Sequence, residues 1–366
     1  MNKGFSIYLD LVRFTAACLV YLYHSNMRPL VAEVLPASRY GHSSVIVFFV
    51  LSGFVIAHVT ATKETTWTAY AASRLARVYS VVLPAVPLTL ALDAVGRALY
   101  PEFHGFPFDH LMVRLLGSLL MVNEVWFVSM MSFSNTPYWS ITYEFWYYAL
   151  FGAATFLHGR ARWWACGGLA LLLGPKILLL LPIWCAGVLL YRWERLRTLP
   201  NGVAWAAVLL SAVGIVAFHA AGVGDAIGEL LKAWLGKDAF EQLTFSRWFI
   251  GDYLLTLMVF AHFAGMRIVA PQLLPLLGRI EKPVRLLAGY TFTLYLLHQP
   301  VFLFWTSVLR WDPQGHAFWW AVTALTAATI GVVGHFTENR RQGLRRAIER
   351  GLQRLSGRAP QPHGAG

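Results

Sequence analysis

The sequence predicts an all-α integral membrane protein: a bundle of about ten transmembrane helices with one re-entrant or interfacial segment. Three observations carry that expectation. Residues of the AVILMFWYC set make up 57% of the 366-residue chain and charged residues only 13%, with a mean hydropathy of +0.53. A soluble domain carries about 25% charged residues, so this chain has too few to cover a water-facing surface. The apolar residues fall into blocks near the roughly 20 residues that cross a bilayer. Basic residues gather mostly between and after those blocks; only Arg13, Arg114 and Arg247 fall within them.

The blocks run over 7–26, 43–61, 79–96, 110–128, 138–157, 163–174, 177–191, 203–222, 247–265, 288–309 and 317–337. Lys3 and the basic end place both termini on the cytoplasmic side, because inner loops carry the excess of Lys and Arg. An even number of crossings follows. The block 110–128 is set aside as non-crossing: it carries Arg114, Asn123 and Glu124 and follows a polar stretch with Pro101, Gly105 and Pro107. The basic loops 62–78, 158–162, 191–197, 267–285 and 338–358 then all face the cytoplasm, and 130–136 is reachable from outside. The chain divides into a transmembrane domain, 1–337, and a basic cytoplasmic tail, 338–366, whose end, 359–366, reads as disordered.

The net charge is +12, and the tail holds Arg340, Arg341, Arg345, Arg346, Arg350, Arg354 and Arg358 against Glu338 and Glu349. In a soluble protein this balance would suggest nucleic acid. Here the basic segments flank spans, so the lipid bilayer is the expected partner and nucleic acid is not. The first block contains Asp10 and Arg13 and lacks the charge-free core and cleavage site of a signal peptide, so it reads as a retained span. Cys18, Cys166 and Cys185 lie in apolar stretches without paired spacing, which predicts buried thiols, no disulfide and no metal site.

Ionisable residues inside spans are costly and mark functional sites by default. In the first span Asp10 and Arg13 are three apart and share a helix face. His24 lies about 21 Å further along the axis, within roughly 40° of that face. A structural ion pair and an interfacial histidine fit equally; histidine is also the side chain best suited to take a hydroxyl proton near neutral pH. Before the third span, Arg74 and Arg77 stack one above the other. Ordinary membrane anchoring explains them, as does a phosphate or nucleotide site for two guanidinium forks. Trp139-Ser140 with Glu144, Tyr147 and Tyr148 reads as an aromatic belt in which Glu144 is hard to dismiss. Tyr295 and His298 share a face, and Pro300 frees a backbone carbonyl and kinks the helix; a polar cluster that packs helices is the other reading. Asp93, Asp252 and His262 stand alone and read as structural, while His104 and His110 read as solvated in the external segment.

Taken together, these patches resemble the acyltransferase 3 family of membrane acyltransferases. Asp10 to Arg13 with His24 looks like its D-x-x-R…H opening. Phe48-Phe49-Val50-Leu51-Ser52-Gly53-Phe54 is like its second-span signature, and Arg74 and Arg77 occupy its R-x-x-R. Trp139, Ser140, Glu144 and Tyr148 fit its W-S-x-x-x-E-x-x-x-Y, and Tyr295, His298 and Pro300 its late Y-L-x-H-x-P. Leu11 stands where the family usually has Gly, Phe145 where a second acid is common, and Ser80 where Pro often follows.

The resemblance implies ten transmembrane helices, an acyl-CoA donor that is usually acetyl-CoA, and an extracytoplasmic carbohydrate or glycolipid acceptor. It implies an O-acyltransferase of the bacterial inner membrane, working with other polysaccharide-assembly proteins. Catalysis falls to His24, with Asp10 and Glu144 to orient or tune it. Donor contacts fall to Arg74, Arg77 and Arg13, and supporting roles to Tyr295, His298, Ser52, Trp139 and Ser140. A multi-span transporter or flippase of a glycolipid is the rival, since intramembrane Asp, Glu, His and Arg also line transport paths.

Overall fold

The computed structural model describes residues 1–338 and 340–355. Arg358 and the segment 359–366 lie outside the described residues. The helices, in chain order, are α1 (Lys3–Ser25), α2 (Gly41–Thr62), α3 (Trp67–Leu99), α4 (Leu111–Leu119), α5 (Tyr138–Phe156), α6 (Gly159–Leu173), α7 (Pro175–Arg192) and α8 (Asn201–Ala220). They continue with α9 (Val223–Leu235), α10 (Lys237–Gln242), α11 (Phe249–Val269), α12 (Leu274–Arg279), α13 (Glu281–Gly289), α14 (Thr291–Leu309), α15 (Ala317–Glu338) and α16 (Arg341–Leu355). No β-strand occurs among the described residues.

The protein is an all-α integral membrane protein, and among the described residues eight helices are long and apolar enough to cross a bilayer: α1, α2, α3, α7, α8, α11, α14 and α15. The adjacent hairpin differs for local reasons. Helix α5 has 19 residues but carries Ser140, Thr142, Glu144 and four tyrosines, and α6 has 15. The set-aside block 110–128 forms α4 and a loop. Nine residues give α4 a length of about 14 Å, too short to cross.

Helix α1 packs between α2 and α14; α2 lies along α7, α8 along α11, and α14 against both α3 and α15. Glycine sets the closest of these approaches. A Cβ on Gly53 would collide with the Trp184 carbonyl, and one on Gly187 with the Val50 carbonyl. The second-span signature therefore carries a glycine at Gly53 because two helix backbones touch there, as small residues allow in membranes. Leu209, Leu210 and Val213 of α8 point away from the bundle, where lipid rather than water is the solvent of a spanning helix. Cys185, expected to be buried, is exposed on the same kind of surface, because the face of α7 that meets α2 is occupied by Trp184 and Gly187.

The N-terminus and α16 lie at one end. Lys3 pairs with Glu281 of α13 at 2.7 Å, and Arg285 of α13 pairs with Asp10 at 2.9 Å. Hydrogen bonds from Lys3 and Arg285 hold the Glu281 carboxyl below the usual carboxylate range.

At the other end, the segment after α4 does not sit on the surface as expected. Ser132 to Asn135 are buried, because Asp93 of α3 accepts hydrogen bonds from the Ser134 backbone N–H (2.8 Å) and hydroxyl (2.6 Å). Asn135 Nδ2 donates to the Leu296 carbonyl at 2.6 Å. That carbonyl lies four residues before Pro300, whose missing N–H leaves it without its helical partner. A second buried pair, Lys176 with Glu124 at 2.9 Å, ties the same loop to the start of α7. His104, expected in solvent, is also buried, with Nε2 2.9 Å from the Ser307 hydroxyl; burial pushes its pKa down to about 4.

Candidate functional site

A cavity of about 520 Å³ opens at the end of the bundle that holds the N-terminus and α16. Six arginines line it (Arg13, Arg74, Arg77, Arg285, Arg341 and Arg345) against four carboxylates, Asp10, Glu64, Glu144 and Glu338, so it carries an excess of positive charge. Ser52, Ser140, Tyr148 and Tyr295 line its inner part with Phe48 and Phe49.

Each charged side chain is placed by its helix. Asp10 and Arg13, one turn apart on α1, pair at 3.1 Å. Asp10 also takes Arg285, so it bridges α1 to α13. Arg74 on α3 donates to both oxygens of Glu64, at 2.8 and 2.9 Å, and lies over the rings of Tyr70 and Tyr148. Arg77, one turn on, lies over the Phe292 ring, 5.2 Å from its centre.

Three motifs meet around Glu144. Trp184 Nε1 donates to the Ser52 hydroxyl (3.2 Å), which lies 3.4 Å from the Tyr148 hydroxyl, and Tyr148 donates to Glu144 at 2.6 Å. The relay holds the carboxylate in the cavity wall. Ser140 spends its proton on the Pro137 carbonyl (3.1 Å), so the Tyr295 hydroxyl donates to Ser140 at 2.6 Å. Trp139 stands apart from the cavity. It stacks on Phe245, with ring centres 4.7 Å apart, and packs against Tyr143 and Phe49.

His24 lies beyond the cavity's inner wall and is not among its lining residues. Its neighbour is His298: His298 Nε2 is 3.1 Å from His24 Nδ1. The carbonyls around the pair fix both tautomers. A carbonyl only accepts, so the His298 Nδ1 that faces the Leu294 carbonyl at 3.0 Å carries a proton, leaving its Nε2 bare. His24 Nδ1 faces the Val20 carbonyl at 3.0 Å and so carries a proton too, shared with His298 Nε2. The lone pair of His24 is therefore on Nε2, which has no protein partner among the described residues. Tyr295, whose ring centre is 6.3 Å from that of His298, separates this pair from the cavity.

The structure thus groups the expected residues in two places. Asp10, Arg13, Ser52, Arg74, Arg77, Ser140, Glu144 and Tyr295 share the cavity, while His24 stands with His298. Asp10 pairs with Arg13 and Arg285, and Glu144 accepts from Tyr148; His24 touches neither carboxylate. Glu64, Arg285, Glu338, Arg341 and Arg345 join the cavity unannounced by any motif. A signal existed for two of them: Arg341 and Arg345 are four apart, and Leu344, Ile348 and Leu352 continue their face. Asp93, Asp252 and His262 all have partners in Ser134, His42 and Tyr8.

A family model described as an acyltransferase domain matches residues 6–336. No curated protein and no solved structure matches the chain.

Proposed function

The chain belongs to the acyltransferase 3 family, and from that premise we propose that it transfers an acyl group, acetyl from acetyl-CoA, to a hydroxyl of a cell-surface glycan or its lipid-linked precursor. The observation that carries this reading is the arginine-lined cavity with the His24–His298 pair behind its inner wall. A coenzyme A thioester needs cationic groups for its phosphates and, at its far end, a base for the incoming hydroxyl. The site of action on this reading is the bacterial inner membrane, with the cavity open to the cytoplasm and the acceptor arriving from the opposite side.

In this mechanism the phosphates of the donor lie among the arginines and the thioester arm extends past Tyr295. His24 Nε2 accepts the proton of the acceptor hydroxyl as the hydroxyl oxygen bonds to the thioester carbonyl carbon. The C–S bond then breaks, and the thiolate takes the proton back from His24. His298 Nε2 accepts from His24 Nδ1–H throughout, so it holds the tautomer and stabilises the imidazolium that forms. No carboxylate is needed for that task.

The test uses purified full-length protein in lipid nanodiscs with acetyl-labelled acetyl-CoA and the surface polysaccharide of the source cell. Label in the polysaccharide, lost in His24→Ala, is the expected result. The absence of both transfer and acetyl-CoA thioester hydrolysis in the wild type would overturn the reading.

A further inference from the structure

Helix α16 begins five residues after the family match ends. Its sequence, RQGLRRAIERGLQRL, has one face of Arg341, Leu344, Arg345, Ile348 and Leu352, all half-buried, and an opposite face of Arg346, Arg350 and Arg354, all exposed. The half-buried face packs along α3, the helix that carries Arg74 and Arg77. A purely solvated basic tail would have no reason to turn two of its arginines inward.

The cavity's arginines differ in what holds them. Arg74 is taken by Glu64, Arg13 by Asp10, and Arg285 by Asp10 and Glu281. Arg77, Arg341 and Arg345 have no carboxylate within ion-pair distance among the described residues, although all three face the same hollow. Like charges around one cavity repel, and an anionic ligand with several separated charges relieves that repulsion. Planar guanidinium forks suit phosphate best.

We propose that α16 completes the donor site: Arg341 and Arg345, with Arg77, bind the phosphate groups of the donor, and Arg74 is a positioning residue held by Glu64. This rests on the reading that the cavity takes a coenzyme A thioester. Such a ligand carries a diphosphate and a separate 3′-phosphate, which matches arginines contributed by two helices rather than one.

The experiment is equilibrium binding of CoA and of 3′-dephospho-CoA to full-length protein in nanodiscs. The variants are Arg341→Gln/Arg345→Gln and, on the outer face of the same helix, Arg346→Gln/Arg350→Gln. The inner pair should weaken CoA binding by about tenfold or more, as expected for lost charge-assisted hydrogen bonds. The outer pair should leave it within about twofold, which separates local contacts from net charge. The inner pair should also bind CoA and 3′-dephospho-CoA more nearly alike than the wild type does. Arg341→Lys/Arg345→Lys keeps the charge and the helix, and should recover only part of the loss. CoA binding by the wild type that is unchanged in the inner pair would overturn the role of α16 alone. No CoA binding by the wild type would overturn the donor reading with it.

Discussion

His298 Nε2 lies 3.1 Å from His24 Nδ1, joining α14 to α1 across 274 positions of sequence. Both rings donate from Nδ1 to a carbonyl one turn back in their own helix, at 3.0 Å. The contact therefore has one direction: His24 donates, His298 accepts, and the free lone pair is on His24 Nε2.

That direction predicts unequal effects. His24→Ala should lower acyl transfer by about a hundredfold or more, the range of a general base, with CoA binding intact. His298→Gln can still accept through its side-chain carbonyl and should keep more activity than His298→Leu, which cannot. The measurement is transfer rate and CoA affinity on matched, folded variants. If His24→Ala retains more than about a tenth of wild-type transfer, a smaller loss than a base should give, His24 is not the base.

Glu64 and Arg74 form a largely buried pair, with 6% and 12% of their side chains exposed. Removing one partner of such a pair strands the other charge and costs about 3–5 kcal/mol. Glu64→Ala should therefore lower the thermal midpoint more than the double variant Glu64→Gln/Arg74→Gln. Equal midpoints for all three proteins would show that the pair does not hold α3 to the α2–α3 connection.

Asn135 and Pro300 should be energetically coupled. Asn135 serves the carbonyl that Pro300 leaves open in α14. Asn135→Ala should destabilise by about 1–3 kcal/mol, the cost of an unsatisfied buried acceptor. The same substitution made in a Pro300→Ala background should cost less, because the restored N–H serves Leu296. A double-mutant cycle by thermal unfolding reads the difference, and strict additivity would contradict it.

His104 gives the protein a pH dependence of known sign. Burial holds its folded-state pKa down at about 4, below the ordinary histidine value of 6.5. Below the ordinary value the unfolded chain takes up a proton that the folded chain refuses, so stability falls as pH drops from about 6.5 toward 4. Thermal midpoints at pH 7.5 and 5 should differ, and His104→Gln should reduce that difference. A His104→Gln slope equal to that of the wild type would assign the effect elsewhere.

Burial also refines the topology test. In a background without native cysteines, Val128→Cys should react with an impermeant reagent from outside, and Arg160→Cys only after permeabilisation. Ser134→Cys should stay unlabelled in both conditions, because that position is fully buried beside Asp93. Labelling at 134 from outside would mean that the segment is not folded into the bundle.

The amino-acid sequence alone determined the membrane class and the non-crossing block around α4, and its five motifs marked the family. The first two follow from composition and from spacing along one helix. A periodic pattern records which residues share a face, so Asp10 and Arg13, or Tyr295 and His298, were legible as neighbours. Only the tertiary structure decided the partners across helices. Asp10 looked like a companion of His24 because both lie on α1, yet some 21 Å of helix separates them, and His298 of α14 fills that place. Glu64 and Arg285 were silent for the same reason, and the face of α16 showed its period but not the helix it packs on. An ion pair or a cavity wall depends on which helices lie side by side, and packing, not local periodicity, fixes that.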